Sequence, residues 1–382
     1  MFGAVIHAPG DVRYEERPDP VILEPTDVVV RTVAACVCGS DLWRYRGISP
    51  VPEPAPIGHE FCGVVEEVGA DVVSVRPGDF VVGGFNPSDY TCPVCRKGAQ
   101  ANCLHGAHYD GAQAERIRIP WADGTLVPTP GMPDESLVPS LLSLSDVMCT
   151  GWHVAVSAGV RPGDAVAVVG DGAVGLSAVL AAVQLGAGTV IAMSRHEDRS
   201  RIARVFGATH VVAERGEEGI AAVRDLTEGI GADRVLECVG TEAARAQAVG
   251  AVCPGGTVGL VGLPHGDLPM QDLFWRNVGI RGGPAHVRSV LPSPPDGSRA
   301  GRHHRAGPGV RSRAAALAGG RGLRRHGSTP RDQDPVASLT SDQYSTLFGC
   351  ALQASKGSVR FRDGSSMTTG RCQVPGSVSK RS

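Results

Sequence analysis

Apolar and polar positions along the chain change their period twice. Over residues 2–7, 27–34, 61–68 and 112–127, apolar side chains alternate with polar ones or form short continuous runs, which predicts strands. Turn-rich segments at 18–25, 50–56 and 69–71 separate them, and signals this closely spaced predict a mostly β domain of barrel type. Residues 134–158 read as a helical pair. From residue 165 the pattern becomes apolar runs at 165–169, 189–193, 210–213, 234–239 and 256–261, alternating with helical stretches such as 199–206 and 241–252. Strand and helix alternating in this way predict a parallel, doubly wound sheet. Beyond residue 288 neither period holds.

The first βα junction of the second region carries chemistry. Between strand 165–169 and the following apolar helix stands Gly170-Asp171-Gly172-Ala173-Val174-Gly175, a G-x-G-x-x-G. Gly170 permits the tight turn, Gly172 lets the backbone approach a pyrophosphate, and Gly175 lets helix and strand pack, so phosphates meet free N–H groups at a helix start. Glycines alone say little in a chain with 51 of them, but strand, glycines, helix and strand in this order predict dinucleotide binding. An acid about 20 residues past the glycines would accept the adenosine ribose hydroxyls. Ser194 stands there instead, followed by Arg195 and Arg199, a set that suits a 2′-phosphate and favours NADP over NAD.

Composition narrows the class. The 382 residues suffice for two or three domains with sizeable cores; 42% are hydrophobic and the net charge is −2, with no overall pull towards nucleic acid or membrane. The start of the chain lacks a signal-peptide pattern and no run of about 18 apolar residues occurs, so a cytoplasmic location is the expectation. Eleven Cys fit reduced thiols and metal ligands better than a disulfide scaffold.

In the β-rich region, Cys38-Gly39-Ser40-Asp41 and Gly58-His59-Glu60 bracket a proline-rich loop. Singly, Cys38 reads as a small buried hydrophobe and His59 as a hydrogen-bonded loop residue. Together, ahead of a nucleotide fold, a thiolate, an imidazole and a carboxylate are a mixture zinc accepts. With these motifs in this order, residues 1–287 resemble the medium-chain, zinc-dependent alcohol dehydrogenase family. The resemblance implies an α/β protein with a GroES-like β-barrel catalytic domain (1–152) and a Rossmann domain (153–287). It also implies a hydride transfer between a small alcohol and NADP, or NAD, giving an aldehyde or ketone.

Residue by residue, the resemblance implies a catalytic zinc on Cys38 and His59, with Glu60 matching a carboxylate that can bind or displace at the metal. The segment 144–151 is similar to the branch whose third ligand is an Asp, here Asp146; Cys149 competes for that role and a helix cap is its bland explanation. Met193-Ser194-Arg195 partly matches the NADP-dependent secondary-alcohol members of the same branch. Ser40 stands where the family passes the substrate proton, and Trp43 stands near the place of the His that often continues the relay. Cys92, Cys95 and Cys103 fall where many members close a second, structural zinc in the pattern C-x2-C-x2-C-x7-C. Counted from Cys92, Gly98 and Gly106 take the third and fourth places, so a lobe of free thiols is expected rather than a closed site. The family also implies a homo-oligomer.

Residues 288–382 are of another kind. Residues 1–288 hold 22 Lys+Arg against 34 Asp+Glu, whereas residues 289–382 hold 15 against 5, without Glu, Ile, Asn or Trp. This segment reads either as a basic tail for acidic partners or as an out-of-frame continuation beginning between Arg288 and Arg302, and in neither case as an ordered end of the barrel. A catalytically impaired, nucleotide-binding relic is the alternative function this break raises. Translating the other two frames of the gene past codon 288 is expected to recover a helix followed by terminal strands; their absence from both frames discards the out-of-frame reading.

Overall fold

The computed structural model describes residues 1–106 and 109–291 and the backbone of residues 352–353. Strand β1 (Phe2–Ala8) turns at Pro9-Gly10, with Gly10 at φ +77°, into the antiparallel β2 (Asp11–Glu16). No residue of β2 is fully buried, and beyond its pairing with β1 it is held by Val12 against the cluster of Ala4, Ile6 and Ile57 and by Tyr14 stacked on Phe2. β3 (Val28–Cys36) leads into α1 (Gly39–Tyr45), and the short β4 (Ala55–Pro56) pairs with β1. β5 (Glu60–Val68) runs antiparallel to β3, and β6 (Phe80–Gly83) to β5. A one-turn helix α2 (Pro93–Arg96) precedes β7 (Arg116–Ile119), which pairs with β3. Val28, Val30, Phe61 and Ile119 fill the space these strands enclose.

The β-patterned stretch over 112–127 contains a break between two strands. Pro120 lacks an N–H and Trp121 has φ +50°, so the chain makes the helical turn α3 (Ala122–Thr125) before β8 (Leu126–Pro128) pairs with β6. The helical pair resolves into α4 (Val138–Ser143) and α5 (Val147–Ala158), parted at Leu144-Ser145-Asp146.

The second region is a six-stranded parallel sheet of β9 (Ala165–Val169), β10 (Thr189–Met193), β11 (His210–Val212), β12 (Ala232–Glu237), β13 (Val252–Leu260) and β14 (Gly279–Gly282), in the order β11-β10-β9-β12-β13-β14. Helices α6 (Ala173–Gln184), α7 (Glu197–Val205), α8 (Gly216–Asp225) and α9 (Glu242–Ala251) connect the strands, and α10 (Met270–Trp275) precedes the last. The strand order reverses between β9 and β12, which is where dinucleotide crevices open at the carboxyl edge of such sheets. β14, with the sequence Gly-Ile-Arg-Gly, is half-buried at best and lies at the edge, so no apolar run announced it.

Two close approaches tie the halves together. α5 leaves the catalytic region at Asp146 and packs along α6, and a Cβ on Gly151 would lie 2.5 Å from Cβ of Ser177. Gly259 of β13 meets Val154 of α5 in the same manner. Small residues at these points allow backbone-to-backbone contact that larger ones forbid. Among the described residues, no helix is long and apolar enough to cross a membrane. Of the segment 288–382, all but residues 288–291 and the two-residue strand Leu352–Gln353, which pairs with Ala34–Ala35 of β3, lies outside the described residues.

Gly151→Val is expected to force α5 off α6 and destabilise the protein by about 2 kcal/mol, read as a lower urea midpoint by circular dichroism. An unchanged midpoint contradicts the close packing described.

Candidate active site

Four side chains from separate elements meet at the inner end of the barrel. Cys38 lies just before α1, where its backbone N–H donates to Asp41 Oδ2 at 3.0 Å. His59 follows Gly58, whose φ of +96° and tight contact with Gln113 leave no room for another residue type. Glu60 opens β5, and Asp146 stands at the N-cap position of α5 without making a side-chain cap hydrogen bond. One ligand atom from each of Cys38, His59, Glu60 and Asp146 lies within 4.8 Å of the others. Asp146 Oδ2 is 3.6 Å from Cys38 Sγ and 3.8 Å from His59 Nε2. The Thr150 hydroxyl donates to Asp146 Oδ1 at 2.5 Å, which leaves Oδ2 for the cluster. Cys149 stays out of it, its thiol directed at the Leu144 carbonyl oxygen 3.1 Å away.

The electrostatics of the cluster call for a cation. Glu60 is 2% exposed, and its Oε1 has no hydrogen-bond partner. Burial and then the neighbouring Asp146 push its pKa above the usual carboxylate range. Burial, Asp146 and Glu60 push the Cys38 thiol up to about 12. Burial opposes charge on His59, but Cys38, Asp110 and Asp146 together raise its pKa. Three acidic groups and an imidazole at this spacing in a low-dielectric pocket fit a divalent metal, which would supply the missing countercharge. Asp41 and Asp110 stand 3.8 and 3.9 Å from His59 Nδ1, the outer nitrogen, and Arg44 lies 3.1 Å from Asp110. Neither carboxylate is within hydrogen-bond distance, and Asp41 Oδ1 has no hydrogen-bond partner, so their effect on His59 is negative charge behind its outer nitrogen. Neither was singled out in the sequence, although Asp41 lies only three residues beyond Cys38.

Ser40 is half-buried in the first turn of α1. One turn on, the Trp43 ring stacks on His265 with centroids 3.6 Å apart and planes 9° from parallel. His265 belongs to the loop after β13, so α1 touches the carboxyl edge of the parallel sheet, and the residues around Cys38 face that edge.

At that edge Gly170 has φ +113°, a Cβ on Gly175 would collide with the Gly170 carbonyl oxygen, and a Cβ on Gly172 would meet nothing within 4 Å, which leaves a cradle open for a pyrophosphate. The three residues expected on a 2′-phosphate are placed unequally. Arg195 is exposed. Ser194 is 1% exposed and donates to Asp171 Oδ2 at 3.0 Å, while Arg199 pairs with Asp171 Oδ1 at 2.9 Å. Asp171, an unremarked position of the glycine motif, is therefore part of this pocket.

The cysteine lobe corrects the sequence reading. Asp89, Cys92, Cys95 and Cys103 place one ligand atom each within 4.8 Å of one another. Cys92 and Cys95 sulfurs are 3.4 Å apart, and Asp89 Oδ1 is 3.4 Å from Cys95 Sγ and 3.3 Å from Cys103 Sγ. The pattern begins three residues earlier than expected, as Asp89-x2-Cys92-x2-Cys95-x7-Cys103, with a carboxylate in the first position. Burial alone would raise the Asp89 pKa, but His105, the N–H groups of Thr91 and Cys92, and Cys103 hold it well below the usual range. Four donors, not three, are therefore in place.

Residues 24–131 match the alcohol dehydrogenase GroES-like domain and residues 173–285 the zinc-binding dehydrogenase domain. Zinc-type alcohol dehydrogenase B of Aspergillus flavus is 36% identical over 317 residues, 79% of this chain and 73% of that protein. Alcohol dehydrogenase TADH from Thermus sp. ATN1 superimposes with a TM-score of 0.71 at 32% identity, over 84% of this chain and 89% of that one. A zinc-binding dehydrogenase from Sinorhizobium meliloti 1021, bound to NADP, does so with a TM-score of 0.61 at 29% identity, over 75% and 86%.

With both donor sets filled, metal analysis of the purified chain should return two zinc ions per chain, and Asp89→Ala should return one. Retention of two in the variant removes Asp89 from the ligand set.

Proposed function

The chain belongs to the medium-chain, zinc-dependent alcohol dehydrogenases, and from that premise we propose that it interconverts a secondary alcohol and a ketone with NADP as its cofactor. Cys38, His59 and Asp146 are the residues that would hold the catalytic zinc, with Glu60 as a further carboxylate within reach, and Asp89, Cys92, Cys95 and Cys103 would hold a structural one. The observation that carries this reading is the convergence of the four cleft donors at the face where α1 meets the loop after β13. Zinc bound there supplies a Lewis acid that polarises the substrate oxygen and lowers its pKa, and NADP supplies the hydride acceptor.

The remaining work falls to the chain's own groups. Thr150 fixes the Asp146 carboxylate, while Asp41 and Asp110 put negative charge behind the outer nitrogen of His59. The Ser40 hydroxyl can accept and donate, as a group taking the alcohol proton must. Trp43 ends the relay within α1, because an indole N–H donates but cannot accept, so the proton leaves Ser40 by another path. Gly170, Gly172 and Gly175 shape the cradle for the pyrophosphate, and Ser194, Arg195 and Arg199 line the adenosine ribose end. Two guanidinium groups at that end, and a similar fold bound to NADP, support NADP over NAD.

Steady-state kinetics with primary and secondary alcohols under NADP and NAD, with metal measured on the same sample, tests the reading. The highest kcat/KM is expected for a secondary alcohol with NADP. His59→Gln and Asp146→Asn should each lose zinc from the cleft, while Ser40→Ala keeps it and loses kcat by about a hundredfold. Asp146→Asn with full zinc and parental turnover defeats the assignment.

A further inference from the structure

We propose that Asp171 is the element that opposes a 2′-phosphate in the choice between NADP and NAD, standing in for the acid that is absent at position 194. The inference rests on the reading of residues 170–175 and 194–199 as the pocket for the adenosine ribose of a nicotinamide dinucleotide.

Asp171 sits between the first two glycines of the motif, and its side chain is 11% exposed. Both carboxylate oxygens are engaged: Oδ2 accepts the Ser194 hydroxyl at 3.0 Å and Oδ1 meets Arg199 Nη1 at 2.9 Å. Ser200 Oγ lies 3.0 Å from Ser194 Oγ and donates to it, which commits the Ser194 proton to Asp171. Ser194 is thus a strut that aims a carboxylate, not a free hydroxyl awaiting a phosphate. The carboxylate reaches the carboxyl end of β10 from the neighbouring loop, where an acid of β10's own would otherwise stand.

Two ligands then meet this group differently. A 2′-hydroxyl can donate to Asp171 without disturbing its ion pair. A 2′-phosphate must draw Arg199 away from Asp171 and lie beside an uncompensated carboxylate, with the exposed Arg195 as the second guanidinium of the pocket. The proposed preference for NADP is therefore a balance in which two guanidinium groups act against one carboxylate, and removing that carboxylate tips it further. This is discrimination through a repulsive element, as specificity between near-identical ligands commonly requires.

The zinc-loaded full chain, titrated with NADPH and NADH by nucleotide fluorescence, tests the proposal. Asp171→Asn, which keeps the shape and an acceptor for Ser194, is expected to shift the ratio of affinities about tenfold towards NADPH. Asp171→Ser should shift it in the same direction and serves if the first variant does not fold. An unchanged ratio, with both nucleotides still bound, overturns the role of Asp171. A parent that binds neither nucleotide overturns the pocket itself and the proposal with it. A parent that prefers NADH, while Asp171→Asn still moves towards NADPH, supports Asp171 and overturns only the NADP preference.

Discussion

A thiol, an imidazole and two carboxylates held within 4.8 Å of one another, away from bulk water, are a repulsive arrangement that the fold must enforce. Glu60 shows the tension most plainly, as a buried carboxyl with an oxygen that no protein group satisfies. Such a constellation persists only where the surrounding structure over-determines it or a cation neutralises it. Its supports come from outside the ligand set: Asp41 and Asp110 behind His59, Thr150 behind Asp146, and Gly58 at the one backbone conformation that presents His59. The barrel strands bring three of the donors together, and α5 brings the fourth.

That fourth donor makes α5 the mechanical link between the two regions. Asp146 stands at its N-cap position, and Val154 and Ala155 further along are fully buried in the core of the parallel sheet. Gly151 and Gly259 let the helix lie directly on α6 and β13, so the position of the carboxylate is fixed by packing in the neighbouring domain. The Trp43 and His265 rings make a second link at the opposite side of α1. A third link is the segment after β14, where Asn86 donates to the Ala285 carbonyl oxygen at 2.9 Å and Val287 and Leu291 pack against barrel residues.

Carboxylates in unexpected places recur in this protein. Asp89 takes a position that cysteine fills in the pattern of the family, and its network of N–H, imidazole and thiol donors keeps it ionised and fit for the same task. Asp171 brings a negative charge from the glycine loop to the end of β10, where it accepts the Ser194 hydroxyl and pairs with Arg199. In the first case the charge lies three residues before the expected start of the pattern, and in the second it comes from the loop after the neighbouring strand.

Periodicity was enough for the architecture, because buried strands and amphipathic helices must show their burial in their residues: β9 and β10 stand where their apolar runs are. It was silent where burial is only partial, as in β2 and β14, and over 112–127 it showed β-type patterning without the break that Pro120 and a left-handed Trp121 make between two strands. Local motifs made Cys38, His59, Glu60 and the three glycines visible, since each lies in a short pattern dictated by its chemistry. What only the folded chain could decide were the meetings between segments apart in sequence: Asp110 behind His59, Asp89 beside Cys103, and Asp171 under Ser194. A ligand is chosen by the direction of a side chain, and that direction is set by the packing of elements that the linear order of residues does not place side by side.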